Sequence, residues 1–114
     1  MTMHVAHLSI YPDKGAPGVG LSTATVEPDG LTGDRRKKAA VHLVCLKDTA
    51  DRDDPPRANI VLDAPDDLVS LVGARVTIGT ALLEVTRQAG NCPGVYAEVI
   101  EPGQVSVGDE ARRV

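Results

Sequence analysis

Short apolar segments separated by glycine, proline and aspartate run along most of the chain. Apolar and polar positions alternate over residues 5–11. Residues 21–27 are rich in threonine and valine, and residues 40–46 form an apolar run. Segments of this length between turn-forming residues are typical of β-strands. The same pattern predicts further strands at residues 58–62, 74–78, 81–86, 95–100 and 105–114.

Residues 63–72 have a helical pattern instead. They begin with Asp63 as a candidate N-cap, contain an early proline and acidic residues, and stop at Gly73. Their apolar residues fall on one helical face: Leu68, Leu71 and Val72. The predicted fold is therefore mainly β, a closed or partly closed β-barrel with one or two short helices. Closure of about eight strands is expected because it removes exposed edges.

Length and composition predict one domain over residues 1–114, because 114 residues that are 42% hydrophobic can build one core but not two. The formal net charge is −4, and residues 35–38 are the only basic cluster, so a basic face for nucleic acid is missing. Tyr11 and Tyr96 are the only aromatic residues, so a stacking platform for single strands is missing too. We therefore expect no nucleic-acid partner.

The sequence predicts a cytoplasmic protein with no membrane partner. Its N-terminal part has no basic region followed by a long apolar run, and no stretch approaches the roughly 20 apolar residues of a membrane span. Cys45 and Cys92 have no CxxC spacing, and His4, His7 and His42 form no metal-ligand pattern with them. Both thiols are expected to be reduced, and a structural zinc site is not expected.

Cys92 lies in a polar segment, residues 86–94, between the apolar runs 81–85 and 95–100. A thiol in such a break can reach a ligand, whereas most unpaired cysteines are small buried hydrophobic residues. The local sequence leaves both interpretations open. Cys45 lies within an apolar run, where a buried and inert thiol is expected.

Several landmarks stand in a specific order. They are the turn Gly30-Leu-Thr-Gly33-Asp34-Arg35, the element Arg57-Ala-Asn59, residues 71–86 with Gly73 and Gly79, Cys92, and the segment Gly103-Gln-Val-Ser-Val-Gly108-Asp109. In this order and spacing the chain resembles the MOSC domain, the family named for the C-terminal part of molybdenum cofactor sulfurases. The resemblance covers nearly the whole chain, because residues 5–11 and 21–27 look like the opening strands of that family.

The resemblance implies a strand-rich barrel with a pocket that holds the pterin molybdenum cofactor or carries sulfur. In family members with a molybdenum centre, the cysteine that matches Cys92 is the metal ligand, and a thiolate suits a soft metal. A persulfide carrier would need the same thiolate, with a pKa lowered by nearby cations such as Arg87. Cys92 is therefore the predicted catalytic residue and the predicted molybdenum ligand.

The cofactor carries a phosphate, which an arginine fork recognises well. Arg57 matches the Arg-x-Asn element of the family, and Asn59 lies on the same face of a strand, so both are predicted cofactor-binding residues. Arg35 is a weaker candidate, since it follows a turn that Asp34 completes. The alternative for Arg57 is that it starts a strand and pairs with the aspartates of the cluster at residues 51–54, and the sequence leaves both open.

Departures from the family leave catalysis undecided. Larger members insert a long segment between the Gly-Asp turn and the Arg-x-Asn element, and here residues 35–56 alone fill that gap. His42 follows the missing segment and is interpreted as a strand residue more readily than as an acid or base. Pyridoxal phosphate belongs to a partner domain of sulfurases, and no lysine here lies in a desolvating neighbourhood, so it is not expected.

Two functions remain open. The first is a MOSC-like protein that binds molybdenum cofactor or relays sulfur through Cys92, as a component of a molybdenum-dependent reductase or as a sulfur carrier, with molybdopterin or a sulfur donor protein as its partner. The second is a shortened MOSC-like barrel that acts as a non-catalytic binding or interaction module. Formation of a homodimer would add buried surface to a small core without aromatic residues, and the oligomeric state stays open.

Overall fold

Most of the described chain is β-strand. The computed structural model describes residues 3–13, 15–35, 39–49, 57–65, 67–90 and 93–114. Within these ranges the strands are β1 Met3–Ile10, β2 Val19–Leu21, β3 Thr23–Glu27, β4 Gly30–Leu31, β5 Val41–Cys45, β6 Ile60–Asp63, β7 Arg75–Ile78, β8 Ala81–Gln88, β9 Val95–Glu101, β10 Gly103–Ser106 and β11 Glu110–Arg113. Two short 3₁₀ helices lie at Leu46–Asp48 and Leu68–Leu71. The described residues hold no helix of the length and apolarity that a membrane crossing requires.

Seven strands close into a barrel, as the sequence predicted. Their order is β11-β7-β8-β9-β5-β6-β1, and β1 pairs with β11 to complete the ring, with Met3 opposite Ala111. β2 extends the sheet from β1. A closed ring with an odd number of strands cannot be antiparallel throughout, and the pair that runs parallel is β5 with β6. A parallel pair needs a long crossover connection, which here is the chain between Cys45 and Ile60.

A second, smaller sheet pairs β10 with β3 and β3 with β4. Residues 105–114, predicted as one strand, are two strands, β10 and β11, in different sheets. Between them Gly108 has a positive φ of 94°, and the Asp109 carboxylate accepts the N–H of Ser106 (2.7 Å). The single-strand prediction was wrong because valines continue through this turn in the sequence.

The predicted helix over residues 63–72 is also corrected. Asp63 belongs to β6, and the helical part is only the 3₁₀ turn Leu68–Leu71, with Asp67 as N-cap accepting from the N–H of Val69 (3.1 Å). A 3₁₀ helix repeats every three residues, so Leu68 and Leu71 share its buried side. Val72 falls outside that period and is 41% exposed.

The barrel interior is filled by valine, leucine, isoleucine and alanine side chains, as expected for a chain without phenylalanine or tryptophan. Alternation along β5 places Val41, Leu43 and Cys45 in this core. Val44, between them, packs with Ala58 in a second small cluster on the outer face. β5 is therefore buried on both faces, which explains the apolar run of its sequence.

Candidate functional site

A row of polar side chains crosses three strands on the outer face of the barrel. Tyr96 on β9 is paired with His42 on β5 and with Arg87 on β8, and side chains of directly opposed residues lie on the same face of a sheet. The rings of His42 and Tyr96 are 5.1 Å apart between centroids, at an angle of 56°. The guanidinium carbon of Arg87 lies 4.8 Å from the centroid of the Tyr96 ring. We call these three residues the outer row.

The connection between β8 and β9, residues 89–94, meets the outer row. The N–H of Ala89 donates to the carbonyl of Gly94 (3.0 Å), and Nε2 of His42 lies 3.0 Å from the carbonyl oxygen of Pro93. Gly94 has a φ of 97°, and a Cβ at this position would collide with the carbonyl oxygen of Leu43. The β8–β9 connection is therefore fastened to β5 at its second half.

Cys92, the predicted catalytic residue and molybdenum ligand, lies outside the described residues, as does Asn91. In the chain Cys92 directly precedes Pro93, whose carbonyl contacts His42. The other thiol, Cys45, is 1% exposed, and its Sγ lies 3.5 Å from the carbonyl oxygen of Ala64. Cys45 is buried, as its place in an apolar run predicted, and its inertness stays a prediction.

The predicted residue Asn59 belongs to a buried hydrogen-bond network. Its Oδ1 accepts the N–H of His42 (2.9 Å), and its Nδ2 donates to Oδ2 of Asp34 (2.9 Å) and to the carbonyl of Ser9 (3.4 Å). Oδ1 of Asp34 accepts the N–H of Tyr11 (2.7 Å). Asn59 is 6% exposed and its amide is saturated by these partners, as buried polar groups generally are. The network joins the Gly-Asp turn to β5.

Arg57 holds the loop of residues 13–18. Its Nη1 donates to the carbonyl of Ala16 (2.8 Å) and its Nη2 to the carbonyl of Asp13 (3.4 Å). The guanidinium carbon lies 4.4 Å from the centroid of the Tyr11 ring. Gly18 approaches the same ring so closely that a Cβ there would collide with it. Tyr11, Arg57 and the loop thus form one packed unit. The acidic residues 51–54 that were the alternative partners lie outside the described residues.

Burial raises the pKa of the Tyr11 phenol above its ordinary value of 10.0, and a hydrogen bond from Ser9 and the charge of Arg57 partly oppose that rise. The phenol donates to the carbonyl of Ala58 (3.3 Å). Tyr11 is therefore a neutral, structural group at ordinary pH, and it gives the Arg57 guanidinium a flat surface on which to lie.

The contacts of Arg57 and Asn59 decide whether these residues can bind the phosphate of the molybdenum cofactor. Both terminal nitrogens of Arg57 already donate to backbone carbonyls, and Asn59 faces only the protein. A phosphate at Arg57 would have to displace the carbonyls of Asp13 and Ala16, so the pair does not fit the cofactor with the loop in this position. Arg35, the third predicted cofactor-binding residue, is exposed, and its N–H donates to the carbonyl of Tyr11 (3.3 Å).

The structure thus brings Arg57, Asn59 and the Gly-Asp turn together, and His42 links them to the β8–β9 connection. Sequence reasoning missed Tyr11, Tyr96 and the linking role of His42. The signal for the tyrosines was their rarity, because a chain with only two aromatic residues places both of them here. For His42 the sequence offers only a polar residue within an apolar run.

A groove of about 660 Å³ lies at the opposite end of β1 and β6, lined by residues that include Met3, Leu68 and Arg113. None of the candidate residues that the structure describes lines this groove. Among the residues that the structure describes, no three histidine, cysteine, aspartate or glutamate side chains are arranged to hold a metal ion.

The fold is similar to solved structures at low sequence identity. YuaD from Bacillus subtilis matches with a TM-score of 0.83 and 18% identity, over 97% of this chain and 94% of that one. YiiM from Escherichia coli, a MOSC-domain protein, matches with a TM-score of 0.72 and 18% identity, over 100% and 70%. YiiM from Geobacillus stearothermophilus matches with a TM-score of 0.74 and 13% identity, over 98% and 75%.

No family model and no curated protein matches the sequence. The chain therefore has a MOSC-like fold, supported by its structural neighbours. Likeness at this level of identity concerns the fold, and chemistry has to be argued from the site itself.

Proposed function

We propose that this MOSC-like protein acts through the thiolate of Cys92 in molybdenum cofactor chemistry, with sulfur relay as its step. The observation that carries the proposal is the fastening of the β8–β9 connection by His42 at Pro93, next to the outer row. A reactive thiol needs a cationic, partly exposed neighbourhood, and Arg87, near the end of β8, is a cation five positions before Cys92 in the chain. A reducing cytoplasm, the compartment we propose, would keep the thiol free.

Sulfur relay needs few groups. The thiolate of Cys92 attacks the terminal sulfur of a persulfide on a donor protein, a new S–S bond forms at Cys92, and the donor S–S bond breaks. The donor leaves as a thiolate, so neither an external oxidant nor a reductant is consumed. A thiol acceptor of the sulfur would reverse the same exchange.

Molybdenum ligation is the other chemistry that the same thiol suits. When bound, the cofactor would supply a soft, redox-active metal. The present contacts of Arg57 and Asn59 are directed to the protein, so a fit to the phosphate of the cofactor requires the carbonyls of Asp13 and Ala16 to move away from Arg57. For that reason we place sulfur relay before metal binding.

A non-catalytic barrel is the second candidate function, and one observation favours it. The two residues that the resemblance implies for cofactor binding serve internal contacts here, with Asn59 almost fully buried. A binding or interaction module would retain such contacts for stability alone. It would not require a reactive Cys92.

The test is to purify the protein from a host that makes molybdenum cofactor and to measure molybdenum, pterin and cyanide-labile sulfur. Cys92→Ser is compared with Cys45→Ala, which changes the buried thiol and serves as the matched control. Sulfur relay predicts labile sulfur in the wild type and in Cys45→Ala and none in Cys92→Ser. Molybdenum that is lost only in Cys92→Ser would establish metal ligation instead. Neither sulfur nor molybdenum in the wild type would leave the non-catalytic module.

A further inference from the structure

We infer that His42 is a positioning residue of this protein: its ring holds the carbonyl of Pro93 and so fixes the chain at the residue that directly follows Cys92. The inference rests on the proposed function of Cys92. In this role His42 orients the segment that carries the thiol, and it does not transfer a proton.

Contacts hold both the main chain and the ring of His42. Its own N–H donates to Oδ1 of Asn59 (2.9 Å), and its carbonyl accepts the N–H of Asn59 (3.0 Å). Its ring lies against the ring of Tyr96, which is in turn covered by the guanidinium of Arg87. The hydrogen bonds with Asn59 fix the main chain of His42, and the Tyr96 ring packs against its side chain, so the His42 ring can act as a support.

The contact with Pro93 determines which nitrogen carries hydrogen. A carbonyl oxygen only accepts, so Nε2 of His42 must be the donor in the 3.0 Å contact. This requirement is met by the neutral Nε2–H tautomer and by the imidazolium. Nε2 is therefore committed as a donor and cannot take a proton from the thiol.

The hydrogen bond from His42 is made to Pro93, the residue that follows Cys92 in the chain. Pro93 has a fixed φ because of its ring, and Gly94 is seated against the carbonyl of Leu43 in a conformation that favours glycine. With the hydrogen bond from His42, these features fix the chain from Pro93 onward. Loss of the ring donor removes the hydrogen bond that ties Pro93 to β5.

The first test measures the alkylation rate of Cys92 by iodoacetamide as a function of pH, with each cysteine peptide quantified by mass spectrometry. His42→Phe keeps a ring against Tyr96 but has no donor, whereas His42→Gln keeps an N–H donor. We expect His42→Phe to slow Cys92 alkylation at neutral pH by about three- to tenfold, the range that one lost hydrogen bond allows. We expect His42→Gln to restore most of the rate. Buried Cys45 should stay unlabelled in every folded variant.

An unchanged or faster rate in His42→Phe, or a slow rate that His42→Gln does not restore, would overturn the inference. The second test needs no variant: nitrogen–proton correlation spectra of the wild type should show Nε2–H at His42 when its ring is neutral. The Nδ1–H tautomer would overturn the inference. Neither test uses molybdenum or a sulfur donor, so their outcome is independent of whether the proposed function holds.

Discussion

Both aromatic residues of the chain lie beside an arginine guanidinium, Tyr11 beside Arg57 and Tyr96 beside Arg87. Contacts of this kind contribute about 0.5–2 kcal/mol each, more where water is excluded. The aromatic residues are thus used to hold cations at the outer face, while the barrel core is aliphatic. Asn59 lies between the two pairs and joins them through His42 and Asp34.

Asn59→Ala should destabilise the protein by about 2–4 kcal/mol, because it leaves the N–H of His42 and a carboxylate oxygen of Asp34 without their partner. Urea unfolding followed by circular dichroism measures the change. A loss below about 1 kcal/mol would show that water replaces the amide at little cost.

Asn59→Asp is the matched variant. It retains an acceptor for His42 but places a second carboxylate against Asp34, where the two negative charges repel each other at neutral pH. Protonation of one carboxyl restores a hydrogen bond, so the variant should lose less stability, relative to wild type, at about pH 5 than at about pH 7. Equal losses at both pH values would contradict the close contact.

The Tyr11 phenol should titrate above 10.0, because burial raises its pKa. The unfolded chain then loses this proton first as the pH rises, so the contribution of Tyr11 to stability is complete below pH 10.0 and falls as the pH rises above it. Tyrosinate absorbance in Tyr96→Phe isolates Tyr11. A midpoint at or below 10.0 would mean that the phenol is exposed to water.

At the scale of elements, the site depends on the parallel pair β5 and β6. Because the two strands run in the same direction, His42 near the start of β5 lies beside Asn59 just before β6. The antiparallel partner β9 begins at Val95, opposite Leu43, and this register brings the β8–β9 connection next to His42. These strand pairings therefore place Asn59 and Pro93 on either side of His42.

Gly94→Ala tests how closely the β8–β9 connection packs against β5 at Leu43. Backbone strain at a positive φ costs about 1–3 kcal/mol for alanine, and at Gly94 the new Cβ also meets the carbonyl of Leu43. Gly73 has a φ of 89° with no atom within 4 Å of a new Cβ, so Gly73→Ala is the matched control for strain alone. Gly94→Ala should be less stable than this control by about 1 kcal/mol or more in urea unfolding. Equal stability of the two variants would contradict the close approach.

Most strands were predictable, because hydrophobic alternation and turn residues determine them locally. The prediction failed where local pattern and tertiary pairing diverge. Residues 105–114 look continuous, yet Gly108 turns the chain into another sheet. Asp63 resembles a helix N-cap, yet it pairs with His4 in the barrel. Membership in one sheet or another depends on distant partners that a local pattern does not contain.

The candidate site was predictable only in outline. Arg57, Asn59 and Arg35 were predicted to bind cofactor, and the structure joins Asn59 to Asp34, the neighbour of Arg35 in the chain. Their role in cofactor binding stays a prediction. The acceptors of Arg57 could not be foreseen, because Ala16 is 41 positions away along the chain. The same holds for His42, whose ring contacts a carbonyl 51 positions away. The role of Cys92 stays a prediction.

At the scale of the whole molecule, the fold is similar to those of YuaD and YiiM at 13–18% identity. Ring closure requires alternation of apolar positions and one parallel pair, and many sequences satisfy both. The fold therefore permits several chemistries. In this chain the two cysteines stand in different surroundings: Cys45 is buried in the core, and Cys92 precedes Pro93, whose carbonyl contacts His42.

The most direct test of sulfur relay through Cys92 is transfer of ³⁴S from a labelled persulfide donor protein to the purified wild-type chain, located by peptide mass spectrometry. Relay through Cys92 predicts label on the peptide that contains Cys92, none on the peptide that contains Cys45, and release of the label to an added thiol acceptor. A chain that takes up no label, or takes it up equally at both cysteines, would contradict relay through Cys92.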